Sequence, residues 1–225
     1  MNLATIFDMD GVLIDSQPLH YEVQLQVLKA CGHDATLSTV APYSGMSTPD
    51  LWNKAKEDLG LTQEPEELIK MAEQFMLDLF ANTNLQPIEG IPTLLEGIKA
   101  MGIKLGVASS SPPELIKMVL NKIGIADRFD IIVSGEDVAE GKPAPDIYLA
   151  AAEKAGVTPN MCIAIEDAPV GIAAAKNAGC VCIAFSNPNT LGQNFDRADY
   201  TVHRFDDCFP IIKTLFFRSV TGSLI

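Results

Sequence analysis

Asp8 and Asp10 directly follow the apolar run Leu3-Ala4-Thr5-Ile6-Phe7, and Glu166 and Asp167 directly follow a second apolar run, Met161 to Ile165. An ionised carboxylate at the mouth of a dry strand is costly unless a positive charge meets it. If the two runs are neighbouring central strands, four carboxyl groups converge on one small volume, and such a cluster demands a cation. Oxygen-only ligands select a hard ion such as Mg²⁺. Helix and turn capping is the plainer explanation. It accommodates Glu166-Asp167-Ala168-Pro169 but explains the first pair poorly.

Further residues converge on the same sheet edge. Ser109, with Ser110 and Ser111 behind it, precedes a helix opening at Pro112-Pro113, which offers a hydroxyl and helix amides to an anion. Lys142 sits in Gly141-Lys142-Pro143-Ala144-Pro145, where the prolines limit the motion of its ammonium. A lone loop Lys is ordinarily solvated, and a Ser run before a helix is ordinarily a cap. Together with a metal they describe a phosphate site. Four carboxylates outweigh one Lys and one Mg²⁺ even before a phosphate dianion arrives, so one carboxyl is expected to retain a proton. Asp10, if it is not the nucleophile, is the expected holder and would serve as a general acid.

These positions require a parallel sheet. Buried strands are expected at residues 3–7, 103–108, 130–133, 161–165 and 180–185, with helices over 113–123, 145–155 and 169–178 between the later ones. Proline near each helix start and glycine just past each end mark the boundaries. The alternation implies a doubly wound α/β fold, in which ligands collect beyond the carboxyl ends of the strands.

Residues 15–88 break the rhythm. Leu19, Val23, Val27 and Cys31 share one helix face, as do Leu68, Ala72, Phe75 and Leu79. Ser47-Thr48-Pro49-Asp50 reads as a helix start with Gly60 as its stop. This is an inserted helical unit, so the expected division is 1–14 and 89–225 as the core and 15–88 as the insertion. Towards the carboxyl end, a short edge strand at 200–203, a closing helix at 209–217 and a frayed tail from Ser219 are expected.

Composition narrows the partners. The 225 residues are 48% hydrophobic and 20% charged, which separates the chain from disordered sequences. Sixteen Lys and Arg against 29 Asp and Glu give a net charge of −13, a field that repels nucleic acid and anionic lipid. The inserted unit alone carries 11 acidic against 4 basic residues. No apolar run approaches the roughly 20 residues of a membrane helix. Met1 to Phe7 lacks the pattern of a signal peptide, so a cytoplasmic protein is expected, and the compact layout would let a monomer work alone. The five cysteines show no CxxC pair and are expected to be mostly buried small hydrophobes.

The ordered set Asp8-Met9-Asp10-Gly11-Val12, Ser109, Lys142 and Glu166-Asp167 resembles the motifs of the haloacid dehalogenase superfamily of aspartyl-phosphate phosphotransferases, over nearly the whole chain. The resemblance implies a Rossmann-like core with a helical cap. It assigns Asp8 as nucleophile and Asp10 as the acid that protonates the leaving group and then activates water. Mg²⁺ would be held by Asp8, the backbone carbonyl of Asp10 and Asp167, with Glu166 at or just behind it, and Ser109 and Lys142 would bind the phosphoryl group. The segments Gly11 to His20 and Lys142 to Asp146 resemble the branch of small sugar phosphatases and β-phosphoglucomutase. In the mutase a cap loop of pattern Gly-x-Ser-Arg presents an arginine to a second phosphate; here it reads Gly45-Met46-Ser47-Thr48. Losing a bidentate clamp favours a phosphatase of a small sugar or polyol phosphate over the mutase. His20 and the loop residues Gly45, Ser47 and Thr48 are candidate substrate or cap contacts, although His20 could equally serve only a helix end, and Trp52 and Phe75 are expected as cap core. A phosphoaspartate signalling module is the alternative from another class, but the third strand leads into Val133-Ser134-Gly135-Glu136 with no Asp directly beyond it.

Overall fold

The computed structural model describes residues 3–44, 46–190 and 193–221. Six parallel strands form one sheet: β1 (Ala4–Phe7), β2 (Lys104–Ser109), β3 (Ile131–Ser134), β4 (Cys162–Glu166), β5 (Val181–Phe185) and β6 (Tyr200–Val202), in the order β3-β2-β1-β4-β5-β6. The expected doubly wound parallel sheet is present. The first strand is central, with Phe7 in register with Val107 on one side and Ile165 on the other. That register places the residues after β1 beside the ends of β2 and β4.

The helices are α1 (Gln17–Ala30), α2 (Leu37–Val40), α3 (Thr48–Leu59), α4 (Pro65–Asn82), α5 (Ile91–Ala100), α6 (Pro113–Lys122), α7 (Asp146–Ala155), α8 (Pro169–Ala178) and α9 (Cys208–Thr221). Alternation along the strands sorts the core into two layers. Phe7, Val107, Ile163, Ile165 and Ile183 pack with residues of α5, α6 and α9. Ala4, Ile6, Ala108, Ala164 and Cys182 meet α7 and α8, whose own packing residues are largely alanine. Cys162, Cys180, Cys182 and Cys208 are buried, as expected of small hydrophobes.

Helices α1 to α4 gather around a separate apolar cluster that includes Val23, Val27, Trp52 and Leu68, with Phe75 at its margin. Ser47 caps α3, accepting the Asp50 N–H at 3.3 Å, and Gly60 ends it. The two chain passages joining this unit to the sheet lie side by side, where Ile14 bridges Pro87 and the Ile88 N–H donates to the Leu13 carbonyl at 2.9 Å. The end of α4 also docks on the core, where the Lys122 ammonium donates to the Phe80 carbonyl at 2.9 Å.

Two expectations need correction. Helix α5 was not anticipated, although Gly90-Ile91-Pro92 carries an N-terminal signal and Leu94, Leu95 and Ile98 are buried. The closing helix continues through Ser219 to Thr221, past the expected start of a frayed tail, because Leu215 and Ser219 remain buried; residues 222–225 lie outside the described set.

Candidate active site

The end of β1 delivers Asp8 into the sheet's carboxyl edge, where its N–H still pairs with the Ile165 carbonyl at 2.9 Å. The chain then turns, with the Gly11 N–H donating to the Ile14 carbonyl at 2.8 Å. Gly11 adopts a φ of +78°, and a Cβ there would overlap the Asp167 carboxylate. Only glycine lets the first turn approach the second acid pair so closely. On the far side of the site Gly171 performs a similar service, since a Cβ would overlap the Glu166 carboxylate.

Asp8, Glu166 and Asp167 are brought together as expected. They are buried, and one carboxylate oxygen from each lies within 4.8 Å of the others. Lys142, a residue 9% exposed, fills one flank: its ammonium donates to Asp8 Oδ1 and Glu166 Oε1, both at 2.6 Å, and to the Ala108 carbonyl at 3.1 Å. Burial alone would lower the lysine pKa, but the two carboxylates more than reverse this and keep it charged. Tyr148 donates its hydroxyl to Glu166 Oε1 at 2.5 Å, and its ring centroid is 5.4 Å from the ammonium.

One lysine is too little charge for three buried acids. Burial raises the pKa of Asp8 well above its ordinary value of 3.8, opposed by Lys142 and reinforced by Glu166, Asp10 and Asp167. Burial likewise raises Asp167 from 3.8 to about 7, against the opposing hydrogen bond from Thr190. Two carboxyls that resist ionising in the metal-free protein are what an oxygen-lined cation site produces. Oxygens across an Mg²⁺ shell are at most about 4.2 Å apart, so the cluster fits a hard divalent ion after shifts of under about 1 Å.

Asp10 stands apart from this cluster. Its Oδ1 meets His20 Nε2 at 3.0 Å, and its Oδ2 accepts the Ser111 hydroxyl at 3.1 Å. His20 leaves the first turn of α1 and packs edge-on against Phe80. The sequence put the site's retained proton on Asp10, and the structure moves it. Burial would raise the Asp10 pKa, but the charge and hydrogen bond of His20, with help from Ser111, bring it below its ordinary value. Burial would lower His20, yet the hydrogen bond and charge of Asp10 hold it above 6.5. The proton of this pair therefore rests mainly on the imidazole, and the carboxyls that resist ionisation are Asp8 and Asp167.

Ser109 ends β2, 1% exposed, and its Oγ accepts the Ser111 N–H at 3.1 Å. Pro112 caps α6 and Pro113 is its first residue, so neither position has an N–H, and the Ser111 amide is engaged. In the helical unit, Ser47 is engaged in capping α3, its hydroxyl also donating to Asp50 Oδ2 at 2.6 Å. Thr48 is exposed at the first turn of α3. Among the described residues neither is hydrogen-bonded to the acidic cluster, and Gly45 lies outside the described set.

Sequence reasoning missed the loop after β5. Thr190 Oγ1 donates to Asp167 Oδ2 at 2.7 Å, Gln193 Nε2 to the Asp167 carbonyl at 3.4 Å, and Asn187 Nδ2 to the Gly11 carbonyl at 3.0 Å. It also passed over Tyr148 and Ser134, whose Oγ donates to the Ser111 carbonyl at 2.8 Å. The polar run Ser186-Asn187-Pro188-Asn189-Thr190 at the carboxyl end of a strand was the available signal.

Comparison with known proteins places this geometry. Hexitol phosphatase B of Escherichia coli is 33% identical over 180 residues, covering 78% of this chain and 80% of that protein. The β-phosphoglucomutase of Bacillus subtilis is 32% identical over 219 residues, 91% of this chain and 90% of the relative. The crystal structure of β-phosphoglucomutase from Clostridium difficile superposes with a TM-score of 0.80 at 29% identity, covering 98% of this chain and all of that one. The family model of haloacid dehalogenase-like hydrolases matches residues 5–185, from β1 through the end of β5. On that match and those identities, the chain belongs to the haloacid dehalogenase-like hydrolases.

Proposed function

We propose that this protein is a Mg²⁺-dependent phosphatase of a small, neutral sugar or polyol phosphate monoester, acting through a phosphoryl group carried briefly on Asp8. The observation that carries this reading is the buried convergence of Asp8, Glu166 and Asp167 with Lys142 bridging the first two. Asp8, Asp167 and the main-chain carbonyl of Asp10 would hold the ion, with Glu166 at or behind it. When bound, Mg²⁺ supplies the positive charge that lets a carboxylate approach a dianionic ester.

The chain's own groups account for the rest. Lys142 and Ser109 bind the phosphoryl oxygens, and the ammonium limits the charge repulsion between ester and nucleophile. The Asp8 carboxylate attacks phosphorus and the P–O bond to the sugar breaks. The departing oxygen takes the proton that His20 and Asp10 share across 3.0 Å. Water then attacks phosphorus of the acyl phosphate and gives its proton to Asp10, the P–O bond to Asp8 breaks, and phosphate leaves. Residues 15–88 act as a cap that excludes bulk water during this sequence. The similarity to hexitol phosphatase B supports a polyol or hexose leaving group.

A second reading, β-phosphoglucomutase, is favoured by the superposition over 98% of the chain on the C. difficile enzyme. Against it, Thr48 stands where the mutase pattern has its arginine, and the cap is strongly acidic. The test is a panel of hexose, pentose and polyol phosphates with Mg²⁺, read as released phosphate. Alongside it runs conversion of β-glucose 1-phosphate to glucose 6-phosphate in the presence of glucose 1,6-bisphosphate. Mg²⁺-dependent phosphate release, abolished in Asp8→Asn, is expected. Bisphosphate-dependent isomerisation with negligible release would overturn the phosphatase reading in favour of the mutase.

A further inference from the structure

Thr190 belongs to none of the motifs that the proposed reaction uses. It lies in the loop after β5, 8% exposed, and its hydroxyl donates to Asp167 Oδ2 at 2.7 Å. The backbone that presents this hydroxyl is itself fixed. The Thr190 N–H donates to the Asn187 carbonyl at 3.2 Å, and the Asn189 N–H to Asn187 Oδ1 at 2.9 Å. Both asparagines then grip the turn after β1: Asn187 Nδ2 holds the Gly11 carbonyl at 3.0 Å, and Asn189 Nδ2 holds Asp15 Oδ2 at 2.5 Å.

Asp167 Oδ2 is thereby confined. The Thr190 hydroxyl engages it and the α-carbon of Gly11 presses close beside it. Among the described residues Oδ1 accepts no hydrogen bond, so it is the oxygen left for an ion. A carboxylate without such a hold would have to lose torsional freedom when the ion binds, and the affinity would fall accordingly.

We propose that Thr190 is a positioning residue for the divalent ion: its hydroxyl fixes the Asp167 carboxylate in the orientation that binds the metal. This rests on the metal-dependent reading above. The same loop ties that orientation to the first cap passage through Asn189 and Asp15, although the proposal depends on the Thr190 contact alone.

The test uses the full chain without substrate. Free Mn²⁺ is followed by electron paramagnetic resonance during titration, with Mg²⁺ as competitor, for wild type, Thr190→Val and Thr190→Ser. Valine keeps the shape and removes the donor, so its Mn²⁺ dissociation constant is expected to rise about tenfold or more. Serine restores the donor and is expected to restore the affinity. In the phosphatase assay, the valine variant needs correspondingly more Mg²⁺ for half-maximal rate, and the loss is recovered by excess metal. Should Thr190→Val fail to fold by circular dichroism, Thr190→Ala is titrated instead. Unchanged Mn²⁺ affinity in the valine or alanine variant overturns the proposal, as does a serine variant as weak as valine, since the effect would then be packing. A wild type that binds no Mn²⁺ overturns it outright. If the wild type releases phosphate from no ester while Thr190→Val still weakens Mn²⁺ binding, the proposed function falls and this inference stands.

Discussion

Asp167→Asn is expected to stabilise the metal-free protein while removing its response to Mg²⁺. Asp167 is 1% exposed, and burial raises its pKa from 3.8 to about 7, with Thr190 opposing and Glu166 and Asp10 adding to the rise. Below pH 3.8 both folded and unfolded chains hold the proton, and the site carries no penalty. Between that pH and about 7 the unfolded chain ionises while the folded one keeps its proton, so stability falls as pH rises. At 1.36 kcal/mol per unit over about three units, the full penalty above pH 7 is about 4 kcal/mol if the site cannot relax, and less as water enters. Asparagine has no such proton to lose and can still accept from Thr190. For a chain of this size the gain corresponds to about 10 °C in Tm. The assay is thermal unfolding by circular dichroism in EDTA at pH 5 and pH 8, repeated with Mg²⁺ in place of the chelator. The difference between wild type and variant isolates this one group. It should favour the variant at pH 8, shrink at pH 5 and reverse when Mg²⁺ is added. A difference independent of pH would refute the reasoning, because the strain would then not be electrostatic.

Three further outcomes follow from the geometry. Gly11→Ala drives a Cβ into the Asp167 carboxylate at a φ of +78°; a loss of about 1–3 kcal/mol and of the Mg²⁺-induced rise in Tm is expected, whereas a normal Mg²⁺ response would count against Asp167 as a ligand. His20→Gln keeps a donor for Asp10 but removes the shared proton, so kcat should fall about 100-fold or more. Wild-type activity should decline as pH passes the raised His20 pKa, and this alkaline limb should be missing in the variant; an unchanged pH profile would assign the proton elsewhere. Trp52→Ala opens the cap cluster, where Trp52 is 2% exposed, and should cost about 3–5 kcal/mol. If the cap is a separate unit, Mn²⁺ binding survives this change while turnover drops, and loss of both would contradict the proposed division at residues 15–88.

The strands were legible because β1, β2, β4 and β5 are buried on both faces and read as unbroken apolar runs bounded by turn residues. The acid pairs were legible for a related reason: charge at the end of such a run has no cheap structural explanation. Asp8, Lys142, Glu166 and Asp167 therefore emerged from local pattern alone, and their meeting required only that β1 and β4 be neighbours, as they are. What escaped is long-range. Thr190 and Asn187 look like ordinary turn residues until the sheet brings their loop against Asp167 and Gly11. Tyr148 reads as a core aromatic of α7, and only the packing of that helix across β1, β2 and β3 reveals that its hydroxyl serves Glu166. The proton assigned to Asp10 failed similarly: adding up charges treats the carboxyls as equivalent, whereas His20 and Ser111 reach Asp10 and leave Asp8 and Asp167 in the drier, more negative place.

The most direct measurement is chemical trapping of the phosphoryl group. The protein is mixed with Mg²⁺ and a hydrolysed ester, quenched in the steady state, reduced with borohydride and mapped by peptide mass spectrometry. An acyl phosphate on Asp8 is reduced to homoserine, so homoserine at residue 8 is expected only when both metal and ester are present. Release of phosphate with Asp8 unmodified, or with the modification on Asp10, Glu166 or Asp167 instead, would contradict the account.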